Sequence, residues 1–235
     1  MNIKKDWHIE FDEGQIEALE GDSFRRILSR PKGREDWAAA LEDARRLVRP
    51  AAVWDFKAVR EIIHEQVVLQ DGTRIGNGPV ASVVAGASEL ILAVCTAGPE
   101  LAARVQELKG GGSMMRSLLL DDLGSWAVDS VRQQLCKLME DEAAATGLHV
   151  STSLSPGESV WDLKDQRVFF SLLDTALIGV SLSPSLVMSP LKSLSVLMGR
   201  GKERMGHEGG SNCDFCGIKD RCQFRGKRPH GADKE

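Results

Sequence analysis

Residues 178–199, IGVSLSPSLVMSPLKSLSVLMG, decide how this chain is read. Val180, Leu182, Leu186 and Met188 alternate with Ser181, Ser183, Ser185 and Val187, the two-residue period of a half-buried strand. The segment therefore predicts β structure from Val180 to Met198. Upstream, Glu89-Leu-Ile-Leu-Ala-Val-Cys-Thr96 is a short apolar run of the kind buried on both faces of a sheet. Ala52 to Val59 alternates as a strand, and the residues after it, through Leu69, fit a helix or a strand. Asp71-Gly72, between Leu69 and Ile75, signals a hairpin or a tight loop. A further strand is expected from His149 to Ser153.

Between these strands the apolar period lengthens to that of helices. A helix is expected from about Gly14 or Asp22, broken at Pro31, after a short strand or turn at Ile9 and Phe11. Another runs from Glu35 to Val48 with Trp37, Leu41 and Ala44 on one face, and Pro50 ends it. Pro99 suits the first position of a helix reaching about Lys109, which Gly110 to Gly112 stop. The longest stretch, Ser113 to about Thr146, carries a stripe of Leu119, Leu123, Val131 and Leu135, with Gly147 as its C-cap. Gly124 inside it costs about 1 kcal/mol against alanine, which marks either close packing or a break. A shorter helix follows Trp161. Strands and helices do not alternate regularly, so the fold class is mixed α+β. The expected organisation is a helical segment over 1–50, an α+β domain over 51–199, and a linker with a cysteine-rich tail over 200–235.

The 235 residues carry a net charge of −4, which gives no electrostatic reason to expect nucleic acid or an anionic membrane as partner. No stretch approaches 18 uninterrupted apolar residues, and MNIKKDWHIEFDEG lacks the apolar run of a secretory signal. The expected compartment is the cytoplasm. Cys95 and Cys136 sit in apolar patterns and read as small buried side chains. Cys213, Cys216 and Cys222 instead crowd into ten residues. Three thiolates at that spacing suit tetrahedral zinc or an iron–sulfur cluster. The local run lacks a fourth ligand, which His207 would supply for zinc and Cys95 or Cys136 for a cluster if the tail folds back. A tail without metal is the alternative.

Three segments carry a family resemblance. Residues 153–174, SLSPGESVWDLKDQRVFFSLLD, place a Ser-Pro-Gly turn before an amphipathic helix. Residues 178–199 then give Ile-Gly-Val, followed by Met188, Pro190, Lys192, Ser193 and Ser195, and Leu119 to Val131 is the third segment. Their order and spacing resemble the activation domain of cobalamin-dependent methionine synthase. The resemblance implies an α+β unit with a twisted antiparallel sheet that binds S-adenosylmethionine in a groove and serves cobalamin carried by a partner. It implies Ser155, Pro156, Gly157 and Glu158 as the ligand-binding turn, and Lys192, Ser193 and Ser195 as a cobalamin-facing or ligand-facing surface.

This chain departs from the family at two places. Ser153 stands where the family has an arginine, and Glu158 where it has a tyrosine; the chain contains no tyrosine. Asp122, Ser125 and Asp129 form a polar line at helical spacing, read first as a solvated face. The function implied is reactivation of a corrinoid methyltransferase, by S-adenosylmethionine binding or by electron delivery with a flavodoxin- or ferredoxin-type donor. On that function Cys213, Cys216 and Cys222 favour an iron–sulfur cluster. The alternative is a non-catalytic module that binds a cobalamin protein and holds structural zinc.

Overall fold

The structure, a computed structural model, describes residues 1–158 and 161–206. Strand β1 (Asn2–Lys4) leads into helices α1 (Glu13–Glu20), α2 (Asp22–Leu28) and α3 (Pro31–Leu47). Asp12 caps α1 by accepting the Gln15 amide at 3.0 Å. Ile9 and Phe11 lie outside any strand or turn, contrary to expectation, and Trp7 and Phe11 are instead buried in the core. Pro31 opens a helix rather than breaking one. It sits in the first turn of α3, where a missing N–H removes no hydrogen bond, so that helix starts four residues before the expected Glu35.

The chain then enters the sheet with β2 (Ala51–Ile63), β3 (Gln66–Leu69) and β4 (Arg74–Ile75). The ambiguous stretch after Val59 is strand. It turns back at His64 and Glu65, both with positive φ, so that Ile63 pairs with Gln66. The Asp71-Gly72 turn forms as its chemistry requires, with Asp71 accepting the Thr73 amide at 2.8 Å. Helix α4 (Gly78–Val83) follows, capped by the Asn77 side chain, and then β5 (Glu89–Thr96), helix α5 (Pro99–Gly110) and helix α6 (Met114–Ala144). Strand β6 (His149–Val150), a 3-10 turn at Leu163–Asp165, helix α7 (Gln166–Leu172), the short pair β7 (Ser181–Leu182) and β8 (Met188–Ser189), and β9 (Ser193–Gly201) complete the described chain.

The main sheet runs β4-β3-β2-β5-β9-β6, with β1 beside the first half of β2, and every pairing is antiparallel. Helices cover both faces, which explains why β5 is apolar at every inner position. Ile91, Ala93 and Cys95 point to the face covered by α3, α5 and α6, while Leu90, Leu92 and Val94 point to the face covered by α4 and α7. The N-terminal helices join the first of these cores through Phe24, Trp37 and Ala44, and Phe24 meets Trp37 edge-on at 4.7 Å between centroids. Among the described residues no helix is long and apolar enough to cross a membrane.

Helix α6 has 31 residues and spans about 46 Å. Gly124 does not break it. A Cβ there would come within 2.7 Å of Leu101 Cδ2 and 3.0 Å of Lys192 Cγ, so the glycine is where α5 and the Lys192 stem cross α6. Gly124→Ala gains about 1 kcal/mol of helix propensity but overpacks a fully buried leucine, which costs about 1–3 kcal/mol. Urea unfolding should show a net loss of about 1 kcal/mol; a stabilised variant would mean that the crossing is loose.

Candidate functional site

The sequence-derived site divides between two ends of one strip on α6. Asp121, Ser125, Asp129 and Arg132 recur at steps of four, four and three and so share a face. Ser125 and Arg132 are seven residues apart, about 10 Å along the axis. The chain returns past this face after β6. There Leu154 bridges Leu197 of β9, and Ser151 exchanges hydrogen bonds with Gly199 at 2.9 Å.

At one end Lys192 lies over Gly124. Its ammonium pairs with Asp121 at 2.8 Å and donates to the Ser125 hydroxyl at 2.8 Å. Asp122 and Ser125 are exposed, as a solvated face requires, while the lysine side chain that reaches across to Ser125 is only 12% exposed. Ser193 donates to the Pro190 carbonyl at 2.8 Å and lies 2.9 Å from Thr96. The structure separates it from Ser195, which is buried inside the sheet with no hydrogen-bond partner for its hydroxyl among the described residues. Partial burial raises the pKa of Asp122, helped by Glu20 and Asp121 nearby.

At the other end is the 153–158 turn. Pro156 is buried, and Gly157 holds φ at 93°, a backbone state that side chains rarely adopt. Its N–H donates to the Trp161 carbonyl at 2.9 Å, and a Cβ on it would press within 2.8 Å of Leu163 Cδ1. The glycine is thus required by the turn itself, whatever approaches it. Glu158 folds back so that its carboxylate accepts the Ser155 amide at 3.3 Å. Desolvation raises its pKa, while the Ser155 amide and the Arg132 guanidinium pull the other way.

Arg132 is the residue that sequence reasoning missed. It is held by Asp129, with contacts of 2.9 Å from Nε and 2.8 Å from Nη2, and its Nη1 donates to the Ser153 hydroxyl at 3.2 Å. A guanidinium therefore stands beside the one position where the resemblance led us to expect an arginine and the chain has serine. The polar line at helical spacing could have identified it, since Arg132 continues the step from Asp129. Cys136, one turn further on, is half-buried. Burial raises its thiol, opposed by Arg132 and by a hydrogen bond with Ser153.

The metal-site expectation falls elsewhere. Cys213, Cys216, Cys222 and His207 lie outside the described residues. Cys95 is fully buried in β5 and its thiol is pushed strongly up by desolvation. Among the described residues no group of three or more metal-ligating side chains occurs.

No family model and no curated protein sequence matches the chain. Solved structures do. The crystal structure of the MetH reactivation domain bound to AdoHcy is similar over 88% of this chain and 81% of that one, with a TM-score of 0.56 and 10% sequence identity. At that identity the likeness is one of fold, an antiparallel sheet with packed helices.

Proposed function

We propose that this chain is an accessory protein for reactivating a corrinoid methyltransferase, binding S-adenosylmethionine along the α6 strip and the 153–158 turn. The observation that carries the reading is the fold likeness, over most of both chains, to a reactivation domain whose structure holds AdoHcy. The donor set also fits. A sulfonium amino acid attached to a nucleoside presents a carboxylate, an ammonium and ribose hydroxyls. The strip offers a guanidinium at Arg132, carboxylates at Asp129 and Glu158, and polar groups at Ser125 and Lys192 about 10 Å away. The methyl group and the cobalt chemistry belong to the bound cofactors. The residues of this chain orient the ligand, and orientation supplies much of the rate in such transfers. On this reading residues 51–199 form the activation-domain-like unit, preceded by its helical segment and followed by the linker and cysteine tail.

Calorimetric titration of S-adenosylmethionine and AdoHcy into the full chain tests the reading. Saturable heat is expected, weakened at least tenfold in Arg132→Met, because a charge-assisted contact to the ligand carboxylate is lost. No heat in the wild type, alone and with a cobalamin-loaded partner, would overturn it.

A second reading is favoured by Ser153 and Glu158 together with the mutual pairing of Lys192, Asp121 and Ser125. It is a non-catalytic module whose cysteines hold structural zinc. Metal analysis of protein prepared without oxygen separates the two. A metal or cluster is expected on Cys213, Cys216 and Cys222, with stoichiometry falling when any one is changed to serine, a poor replacement for thiolate. Iron with visible absorption favours electron delivery to cobalamin from a flavodoxin- or ferredoxin-type donor. Colourless zinc favours the structural role, and protein free of both metals ends the metal proposal.

A further inference from the structure

A groove of about 650 Å³ opens on the far side of the sheet, between α7 and the β7–β8 pair. Its floor is largely apolar: Leu173 and Val180 are buried beside Thr175, whose hydroxyl donates to the Val180 carbonyl, and Phe170 and Leu182 are half-buried. Two exposed side chains of opposite charge flank that floor, Arg167 near the start of α7 and Asp174 just past its end. Arg167 makes one long contact, 3.5 Å from Nη2 to the Pro184 carbonyl, and has no ion-pair partner among the described residues. Asp174 likewise has no ion-pair partner among them. Strand β7 lines the groove and pairs only with β8 among the described residues, which leaves one strand edge open.

A groove with a cation at one end and an anion at the other, neither ion-paired among the described residues, and an unpaired strand edge alongside matches one ligand chemistry. We propose that the groove binds a short extended peptide with both termini free, its carboxylate on Arg167 and its ammonium near Asp174. Length decides the class. Five residues of helical rise and two of more extended chain separate Arg167 from Asp174 by roughly 10–14 Å. That is the length of three or four extended residues and well beyond a single amino acid. The open edge would supply main-chain hydrogen bonds and the floor would take an apolar side chain. The site is independent of the α6 strip.

The test is a titration of the isotope-labelled full chain with the tripeptide Leu-Leu-Leu, followed by amide chemical shifts. Saturable shifts are expected at Phe170, Val180 and Leu182. Affinity should fall about tenfold in Arg167→Gln and in Asp174→Asn, and about a hundredfold for the same peptide acetylated and amidated at its ends, which loses both contacts. Both variants are at exposed positions, and unchanged melting temperatures would confirm that the fold is kept. Equal affinity for the blocked peptide, unchanged affinity in both variants, or shifts confined to other surfaces would overturn the proposal.

Discussion

Gly33→Ala is expected to destabilise the protein by about 3 kcal/mol or more, although alanine is the better helix former by about 1 kcal/mol. Gly33 is buried in the first turn of α3, and a Cβ there would run into the backbone carbonyl oxygen of Ile27, with the carbonyl carbon at 2.8 Å. A flexible side chain can step aside, but a backbone carbonyl in the last turn of α2 cannot. Relief requires α2 to lift off α3, which loosens the Phe24–Trp37 contact. The melting temperature should drop by roughly 10 °C for a chain of this size. Gly110→Ala is the control. A Cβ at Gly110 meets nothing within 4 Å, so that variant should be neutral or slightly stabilised. Equal behaviour of the two variants would show that the α2–α3 contact is not as close as the structure places it.

The contrast between these glycines also shows what the sequence could and could not reveal. Apolar period and turn chemistry marked β5, α5 and α6, because burial on two faces and burial on one stripe leave different patterns. The Asp71-Gly72 turn was equally legible, since it is made by neighbouring residues. Helix α4 went unread although Asn77 and Pro79 stand at its start, because six residues are too few to show a period. Pro31 was misjudged for a related reason: proline breaks a helix interior but suits its first turn, and only the position of the boundary decides. The candidate site was half legible. The 155–158 turn is local and could be read from Ser-Pro-Gly, whereas Arg132 reaches Ser153 across 21 residues of chain. No local pattern records that meeting; it exists only because α6 and the returning chain share an edge of the sheet.

Asp43 is the second residue with a large expected effect, and it ties α3, α5 and α6 together. Its carboxylate is 6% exposed and accepts from Arg46 at 2.7 Å, from Arg104 at 3.2 Å and from Arg116. One side chain on α3 thus holds α5 and the first turn of α6. Removing it leaves three guanidinium groups without their shared partner. Breaking a fully buried pair costs about 3–5 kcal/mol. These arginines keep 26–62% of their side-chain surface in water, so the lower end, about 3 kcal/mol for Asp43→Ala, is expected. The effect must also depend on pH in one direction. Desolvation alone would raise the Asp43 pKa, but hydrogen bonds from Arg46, Arg116 and Arg104 outweigh it and hold the carboxyl below its usual range. A carboxyl whose folded pKa lies below its unfolded value contributes stability above the unfolded value, near pH 4, and loses it as pH falls through the folded value. Chemical denaturation of wild type and Asp43→Asn should therefore show the full difference at pH 7, a shrinking one below about pH 4, and almost none once the wild-type carboxyl is protonated. A difference that stays constant from pH 7 to pH 3 would mean that packing rather than charge makes Asp43 important.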